Sequence, residues 1–230
     1  MAGRKNFVAG EILTAADVNS FLMDQSVMVF DDSAARGSAI PTPSEGMVTY
    51  LKDVNQVQAF TGAAFTPVGT ILQVVSTTKT NIFSASVDQG DSVDITGLAV
   101  TITPTSTSSK VYVSYNFSGS TDVSAAVRAN ATGSVTRNGT PVAVGDSAGN
   151  RQRVNVSLAA TSQGGGHGMV AASFLDEPNT TSALTYQVRT HNATANSGTF
   201  TIFVNRSTTD SDASSNARYA SSITVMEVAG

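Results

Sequence analysis

The sequence contains no cysteine and only two histidines among its 230 residues. The absence of cysteine excludes disulfide bridges, thiolate metal sites and cysteine nucleophiles together. Charged residues make up only 13% of the chain, about half the usual fraction, and serine, threonine, asparagine and glycine take their place. A surface of hydroxyl and amide groups is typical of β-proteins that pack against copies of themselves.

Positive charge is also scarce, and the net charge is −4. The chain therefore lacks the basic footprint of a nucleic-acid-binding protein, since Arg4 and Lys5 alone do not form a basic arm. No apolar run approaches the ~20 residues of a transmembrane helix. Glu11 and Asp17 interrupt the N-terminal region before the apolar core of a secretory signal could form. We expect no nucleic-acid partner, no membrane insertion and no signal peptide.

Residues 7–30 form the one segment that is built like a helix with marked ends. Thr14 and Asp17 have the spacing of a capping box, in which each side chain bonds the other residue's backbone amide. Asp17 also suits the positive end of the helix dipole. The pattern predicts a helix over about residues 15–26, and the apolar run at residues 27–30 predicts a short strand.

The apolar side chains of this segment have two interpretations. Val18, Phe21 and Leu22 form one stripe at helical spacing, which fits an amphipathic helix on its own core. The same stripe fits a docking helix, because too little chain surrounds it for burial within the protein. In the docking interpretation the residues that contact a partner are Phe7, Leu13, Val18, Phe21, Leu22, Val27 and Phe30.

The rest of the N-terminal region predicts a small α+β module over residues 1–68. The Asp31-Asp32-Ser33 segment is placed to cap a short helical turn through residues 34–36, and two apolar runs flanking a polar turn predict a hairpin over residues 47–60. These elements share few apolar residues. We expect the module to be stabilised by packing on a partner.

From residue 69 to residue 230 the apolar residues alternate with polar ones in period two, which predicts strands with one buried face. Asn138-Gly139 predicts a type I′ hairpin turn, and Pro141 indicates an edge strand. Many short strands at this spacing predict an antiparallel β-sandwich or barrel. The alternating runs lie at residues 98–102, 111–117, 154–158, 184–188 and 200–204.

The final predicted strand, residues 223–228, has apolar side chains on both faces. Ile223 and Val225 lie on one face, and Met226 and Val228 lie on the other. A strand that is buried on both sides fits a contact between subunits, and it fits a central core strand equally well.

No residue pattern indicates an active site. His167 lies in a glycine cluster that lacks the Lys-Ser/Thr ending of a phosphate loop. Asp210 and Asp212 alternate as calcium ligands do, but the remaining loop ligands are missing. The neighbouring carboxylates at residues 176–177 would point to opposite faces of a strand, which is unsuitable for glycoside cleavage. We therefore predict no catalytic residue, no metal and no cofactor. Four tyrosines remain open between sugar stacking and core packing: Tyr112, Tyr115, Tyr186 and Tyr219.

The N-terminal residues resemble the opening of minor tail and fibre proteins of tailed bacteriophages. The resemblance covers residues 7–30 (FVAGEILTAADVNSFLMDQSVMVF), 33–41 (SAARGSAIP) and 45–51 (EGMVTYL). In that family this region attaches an appendage to the virion. The resemblance implies that residues 1–68 are a virion-attachment module, that the partners are other virion structural proteins, and that the protein belongs to the virion, assembled in the host cytoplasm.

The C-terminal region resembles the C-terminal domains of phage fibres and, through them, the trimeric jelly rolls of the tumour-necrosis-factor and C1q type. The resemblance rests on residues 71–79 (ILQVVSTTK), 102–110 (ITPTSTSSK), 173–176 (SFLD) and 221–228 (SSITVMEV). It implies a mostly β protein whose residues 69–230 form a homotrimeric jelly-roll head, in which one sheet packs near the three-fold axis.

These expectations lead to three functional hypotheses. The first is a short trimeric tail appendage that contacts the host surface, with a cell-surface glycan as a candidate ligand, through loops containing Gly164, Gly165, Gly166, His167, Asp210 and Asp212. The second is a capsid or collar decoration, which the absence of heptads, collagen-like repeats or other shaft repeats favours. The third is a polysaccharide-degrading spike, which requires a carboxylate cluster that the sequence does not show.

Overall fold

The computed structural model describes residues 8–18, 26–69, 71–122, 131–157, 168–193 and 198–230. The chain divides into two compact units, residues 1–70 and residues 71–230. This division lies two residues from the predicted boundary between residues 68 and 69. Each unit is described by itself.

The described residues of the N-terminal unit form two short helices and one four-stranded sheet. The helices are α1 (Ala15–Asp17) and α2 (Ser33–Ala39), and the strands are β1 (Met28–Phe30), β2 (Val48–Leu51), β3 (Gln56–Phe60) and β4 (Phe65–Pro67). The sheet order is β1-β2-β3-β4. β1 and β2 are parallel because α2 lies between them in the chain, and the β2–β3 and β3–β4 pairs are antiparallel. The predicted hairpin at residues 47–60 is confirmed.

Both predicted helix caps are present. The Thr14 hydroxyl accepts from the Asp17 amide at 3.1 Å, and the Asp17 carboxylate accepts from the Thr14 amide at 3.1 Å. The Asp32 side chain accepts from the Ala35 amide at 2.7 Å and starts α2. The predicted extension of α1 falls on residues 19–25, which lie outside the described residues, and residues 26–27 are not helical.

An arginine occupies the centre of the N-terminal unit. Arg36, on α2, is 9% exposed, and its guanidinium lies 3.8 Å from the centroid of the Phe65 ring. The same guanidinium donates to the side-chain amide oxygen (Oε1) of Gln58 at 2.5 Å and to the Thr49 hydroxyl at 3.3 Å. Burial lowers the pKa of Arg36, and the charge of Asp53 opposes this. Arg36 therefore joins α2 to β2, β3 and β4, in a unit whose fully buried apolar residues are few.

Replacing Arg36 with alanine should destabilise this unit by about 2–3 kcal/mol, because it removes the stacking on Phe65 and the donor to the Thr49 hydroxyl and the Gln58 Oε1. Arg36→Lys retains the charge but not the planar stacking, and should cost about half as much. Hydrogen exchange on the full chain would show faster exchange in β2 and β3 and unchanged exchange in residues 71–230. Unchanged exchange in β2 and β3 would contradict this role.

The C-terminal unit is called the head, and its regular elements in the described residues are strands. Their bounds are β5 (Ile71–Lys79), β6 (Phe83–Val87), β7 (Ser92–Ile102), β8 (Lys110–Thr121), β9 (Ala131–Arg137), β10 (Thr140–Val142), β11 (Val156–Ser157), β12 (Gly168–Asp176), β13 (Leu184–Asn192), β14 (Phe200–Val204) and β15 (Ser221–Val228).

These strands form two antiparallel sheets. In the first sheet, β8 pairs with β12 along one edge and with β15 and then β14 along the other, and β5 and β6 continue outward from β15 and β14. In the second sheet, β9 pairs with β13 along one edge and with β10 and β11 along the other, and β7 follows β13. Each sheet therefore has four rows of strands.

The strand pairs of the head are nested in chain order, as in one long hairpin whose paired arms fold over to form both sheets of a sandwich. In chain order, the outermost pair, β5 with β15, and the next pair, β6 with β14, lie in the first sheet, and the third pair inward, β7 with β13, lies in the second. β8 then pairs with β12 in the first sheet, and β9 with β10 and β11 in the second. This alternation defines a jelly roll. The predicted mostly β fold, with an antiparallel jelly-roll head, is confirmed.

The core lies between the two sheets and explains the alternation read from the sequence. Val113, Tyr115 and Phe117 point inward from β8, and Tyr186 and Val188 point inward from β13, all at 2% exposure or less. The prediction that tyrosines pack in the core is thus confirmed for Tyr115 and Tyr186. Burial raises the pKa of both phenols, and the Asp176 carboxylate adds to the effect at Tyr186.

The position of the final strand decides between the two alternatives for its apolar residues, a contact between subunits and a central core strand. β15 lies between β5 and β8, and Ile223 and Val225 are fully buried in the core of the head. The interface prediction is therefore wrong for these two side chains, which have no surface to offer a second subunit. Met226 and Val228 point to the outer face of the sheet and are half-buried.

The predicted turn at Asn138-Gly139 is present. Both residues have positive φ, 48° and 84°, as a type I′ turn requires, and they join β9 to β10 directly. Pro141 lies in β10, at the edge of the second sheet, where the missing amide breaks no pairing with a further strand.

Candidate functional site

The predicted attachment residues fall into three groups. Phe7, Phe21 and Leu22 lie outside the described residues. Leu13 and Val27 are 50% and 57% exposed. The remaining two, Val18 and Phe30, are half-buried. The exposed members are thus available for contact with a partner.

A row of apolar side chains crosses the open face of the N-terminal sheet. Val29, Tyr50, Val57 and Val68 are direct neighbours on successive strands, and this set is called the valine row. The valine side chains are 39–60% exposed. The opposite face holds Thr49 and its neighbours under α2. Sequence reasoning missed the valine row because the pairing of β1 with β2 is non-local.

The head presents an outer face that carries no charge. It consists of the outward side chains of β5, β15, β8 and β12 and is called the uncharged face: Val74, Ser76, Thr78, Tyr112, Ser114, Asn116, Ser118, Met169, Ala171, Ser173, Leu175, Ser222, Thr224, Met226 and Val228. Lys110 and Glu177 border it and neutralise each other at 2.6 Å. That ion pair lowers the pKa of Glu177, through its hydrogen bond with Lys110 and then through the charge of Lys110.

Within the uncharged face, polar and apolar side chains form separate rows. Val74, Met226, Tyr112 and Leu175 are cross-strand neighbours on four consecutive strands, and Val74 and Leu175 are 55% and 49% exposed. In the next row the Ser76 hydroxyl lies 2.8 Å from that of Thr224. An apolar band beside hydroxyl rows, without charge, has the composition of the centre of a protein interface.

The outer face of the second sheet has a different character. There Arg189 pairs with Asp94 at 2.7 Å across β13 and β7. Gln187 donates to the carbonyl oxygens of Ile95 and Leu98. Its polar groups are engaged with each other, so the uncharged face is the stronger candidate for contact between subunits.

The loops predicted to contact the host have mixed outcomes. Gly164, Gly165, Gly166 and His167 lie outside the described residues. Asp210 accepts from Arg218 at 2.7 Å and pairs with Arg206 at 3.4 Å, so its carboxylate holds the loop together. Asp212 is exposed. In the described part of the chain no three metal-ligating side chains of histidine, cysteine or acidic type come together.

The neighbouring carboxylates at residues 176–177 are both engaged in ion pairs. One oxygen of Asp176 accepts from the Arg137 guanidinium and from the Tyr186 hydroxyl, each at 2.7 Å. This cluster closes one end of the core between the two sheets. Glu177 is bound to Lys110 on the outer face, as the opposite orientations of neighbouring strand residues require.

Two buried titratable groups belong to the head rather than to a reaction site. His191 is 8% exposed, and its Nε2 lies 2.5 Å from the Ser134 hydroxyl. Burial, and then the charge of Arg189, lower the pKa of His191 to about 4 against the opposing charge of Asp94. Glu227 is fully buried and accepts from Gln73 and Thr105 at 2.6–2.7 Å.

Burial alone would raise the pKa of Glu227. Hydrogen bonds from Gln73, Ser109 and Thr105 outweigh burial and hold that pKa below its ordinary value. The carboxylate therefore stays ionised without a cation and ties β15 to β5 and to the segment after β7. Across the described helices, none has the length and apolarity needed to cross a membrane.

No protein-family model matches the sequence, and no curated protein matches it. A chain in the structure of infectious bursal disease virus, Gt strain, is similar over 87% of this chain and 58% of its own length, with 10% identity and a TM-score of 0.41. A chain of the Gx strain covers 74% of this chain and 43% of its own, with 11% identity and a TM-score of 0.34. A chain of the VP2 subviral particle of the same virus covers 81% and 47%, with 12% identity and a TM-score of 0.33. This chain thus spans about half the length of these structures, and its jelly-roll assignment rests on its own strand pairing.

Proposed function

We propose that this is a non-enzymatic structural protein of a virion, a short homotrimeric tail appendage of the minor tail or fibre type. Residues 1–68 attach it to other virion proteins, and the head meets the host surface. The uncharged face is the observation that carries the proposal, because a four-strand surface with an apolar band and no charge suits burial against copies of the same chain.

The attachment role is supported by the N-terminal resemblance and by the valine row. Val29, Val57 and Val68 expose apolar surface on a unit with few buried apolar side chains. A partner that covers this face would add the burial that the unit lacks. The alternative is a capsid or collar decoration, in which the valine row and the uncharged face would also be contact surfaces. The absence of a repeated shaft sequence between the units favours this alternative.

The trimer is tested by light scattering on the full chain. The wild type should have three times the 23.6-kDa mass of one chain. Met226→Asp places a charge in the apolar band and should yield monomers, because an unpaired buried charge costs several kcal/mol per interface. Thr185→Asp, on the exposed outer face of the second sheet, is the matched control and should leave the mass unchanged.

Two outcomes would contradict this proposal. A wild-type chain that remains monomeric at high concentration would remove the basis for a trimer. A Met226→Asp trimer as stable as the wild type would show that the uncharged face is not the interface. Immunogold labelling of virions then separates the tail appendage from the capsid decoration.

A further inference from the structure

A polar cleft of about 410 Å³ lies in the head and shares no residue with the uncharged face. Its lining comes from the turn between β6 and β7, the start of β9, residues 150–154, β11 and the end of β13. The side chains used below are Gln89, Thr132, Arg151, Gln152 and Ser157. The volume falls in the range of about 300–1,000 Å³ typical of small-molecule sites.

Backbone pairing holds the walls of the cleft in place. Thr132 is paired with Ser157 on one side and with His191 on the other. The Gly90 amide donates to the Asn192 carbonyl at 3.0 Å, and the Asn192 amide donates to the Asp91 carbonyl at 3.0 Å. The cleft is therefore part of the sheet framework and not only of its loops.

Three buried polar atoms beside the cleft have no hydrogen-bond partner among the described residues. They are the Thr132 hydroxyl oxygen and both the oxygen and the nitrogen of the Gln152 amide. Thr132 is only 4% exposed. A buried polar atom without a partner costs about 1–3 kcal/mol. Three such atoms around one cleft indicate that a polar ligand completes their hydrogen bonds, with donors and acceptors close together.

The cleft also has an uncommitted positive charge. Arg151 is exposed and pairs with no carboxylate in the described ranges. The other described arginines of the head are engaged: Arg137, Arg189, Arg206 and Arg218 with carboxylates, and Arg153 with the Gly145 carbonyl. Among the described residues that line the cleft, none is acidic. A guanidinium with free donors suits a carboxylate, which it binds through two parallel hydrogen bonds.

We propose that this cleft binds an acidic sugar, with the carboxylate of a hexuronic acid paired to Arg151 and the sugar hydroxyls bonded to Gln152, Thr132 and Ser157. The hydroxyls of a sugar both donate and accept hydrogen bonds. A sugar therefore matches one amide and two hydroxyl side chains better than a simple anion, which only accepts. The inference rests on the proposed function for its setting, since it names the class of host-surface ligand that the head would meet.

Titration calorimetry on the full chain tests the assignment with sodium glucuronate as the probe and glucose as its neutral match. Glucuronate should bind with a millimolar Kd, as expected for one sugar and one ion pair, and glucose at least about tenfold more weakly. Arg151→Gln should weaken glucuronate binding about tenfold or more. Arg153→Gln, two residues away and outside the lining, should stay within about twofold.

A second variant separates the amide from the charge. Gln152→Leu retains the volume and Arg151, and it should weaken glucuronate and glucose to a similar degree. Equal binding of the two sugars by the wild type, equal effects of the two arginine variants, or no glucuronate binding up to about 50 mM would overturn the proposal. The mass of each variant distinguishes the two proposals: an intact trimer without glucuronate binding refutes only the cleft, and a monomer that binds glucuronate refutes only the trimer.

Discussion

Replacing Gly133 with valine should destabilise the head by about 3 kcal/mol or more, one of the largest effects expected of any single substitution in this chain. Gly133 lies on β9 and faces Val170 and Phe117 of the first sheet. A Cβ atom at this position would lie 2.8 Å from the Val170 Cγ1 and 3.0 Å from the Phe117 Cε1. Both neighbours are fully buried, so neither can move aside without disturbing the core.

The size of the side chain provides the test. Gly133→Ala should cost about 1–2 kcal/mol and Gly133→Val clearly more, measured by urea unfolding with the far-ultraviolet circular dichroism of the strands as the signal. Gly145→Ala is the control, because nothing lies within 4 Å of an added Cβ there. A Gly133→Ala variant as stable as the control would show that the sheets have room at this point.

The strand pattern of the head was readable from the sequence because the alternation of side chains is a local property. Successive side chains of a strand point to opposite faces of the sheet. Val113 and Tyr115 therefore alternate with polar residues, and the same geometry points both of them into the core. The Asn138-Gly139 turn was equally local, since only residues that tolerate positive φ fit its two positions. The caps of α1 and α2 belong to this class as well.

The alternation of apolar and polar residues does not identify which strands become neighbours. Sequence reasoning therefore missed the uncharged face and the valine row. Val74, Met226, Tyr112 and Leu175 are distributed over about 150 residues of sequence and meet only through the nested pairing of β5, β15, β8 and β12. The apolar residues of β15 show the same limit. Period two separated Ile223 from Met226, but only the sheet order shows that Ile223 faces the core of its own chain.

Sequence reasoning also gave polar residues too little weight. Arg36 at the centre of the N-terminal unit and Glu227 on the final strand are buried, and Arg137 and Asp176 are partly buried beside Tyr186, although charged residues are usually exposed. Each is possible because tertiary contacts supply hydrogen bonds, and those contacts come from distant parts of the chain. Asp176 illustrates the point: the sequence offered it as a carboxylate to be weighed for catalysis, and the fold uses it to join the two sheets.

Acidification from pH 7 should destabilise the head through His191 before it affects the carboxylates. The pKa of His191 is about 4 in the folded chain and about 6.5 in the unfolded chain, so the unfolded state takes up the proton first. A lowered histidine pKa contributes stability that is complete above about pH 6.5 and is lost as pH falls toward 4. The loss should reach about 2 kcal/mol at pH 5 and about 3 kcal/mol at pH 4.

His191→Gln isolates this contribution, because glutamine is neutral and can still bond the Ser134 hydroxyl. Urea unfolding of both proteins between pH 7 and pH 4 should give a slope for the wild type and a flatter line for the variant. The carboxylates titrate in the same way in both proteins, and Glu227, with its lowered pKa, loses its contribution only at still lower pH. Equal slopes would show that the protonated imidazole is accommodated beside Arg189, and that Asp94 compensates for the burial of the ring.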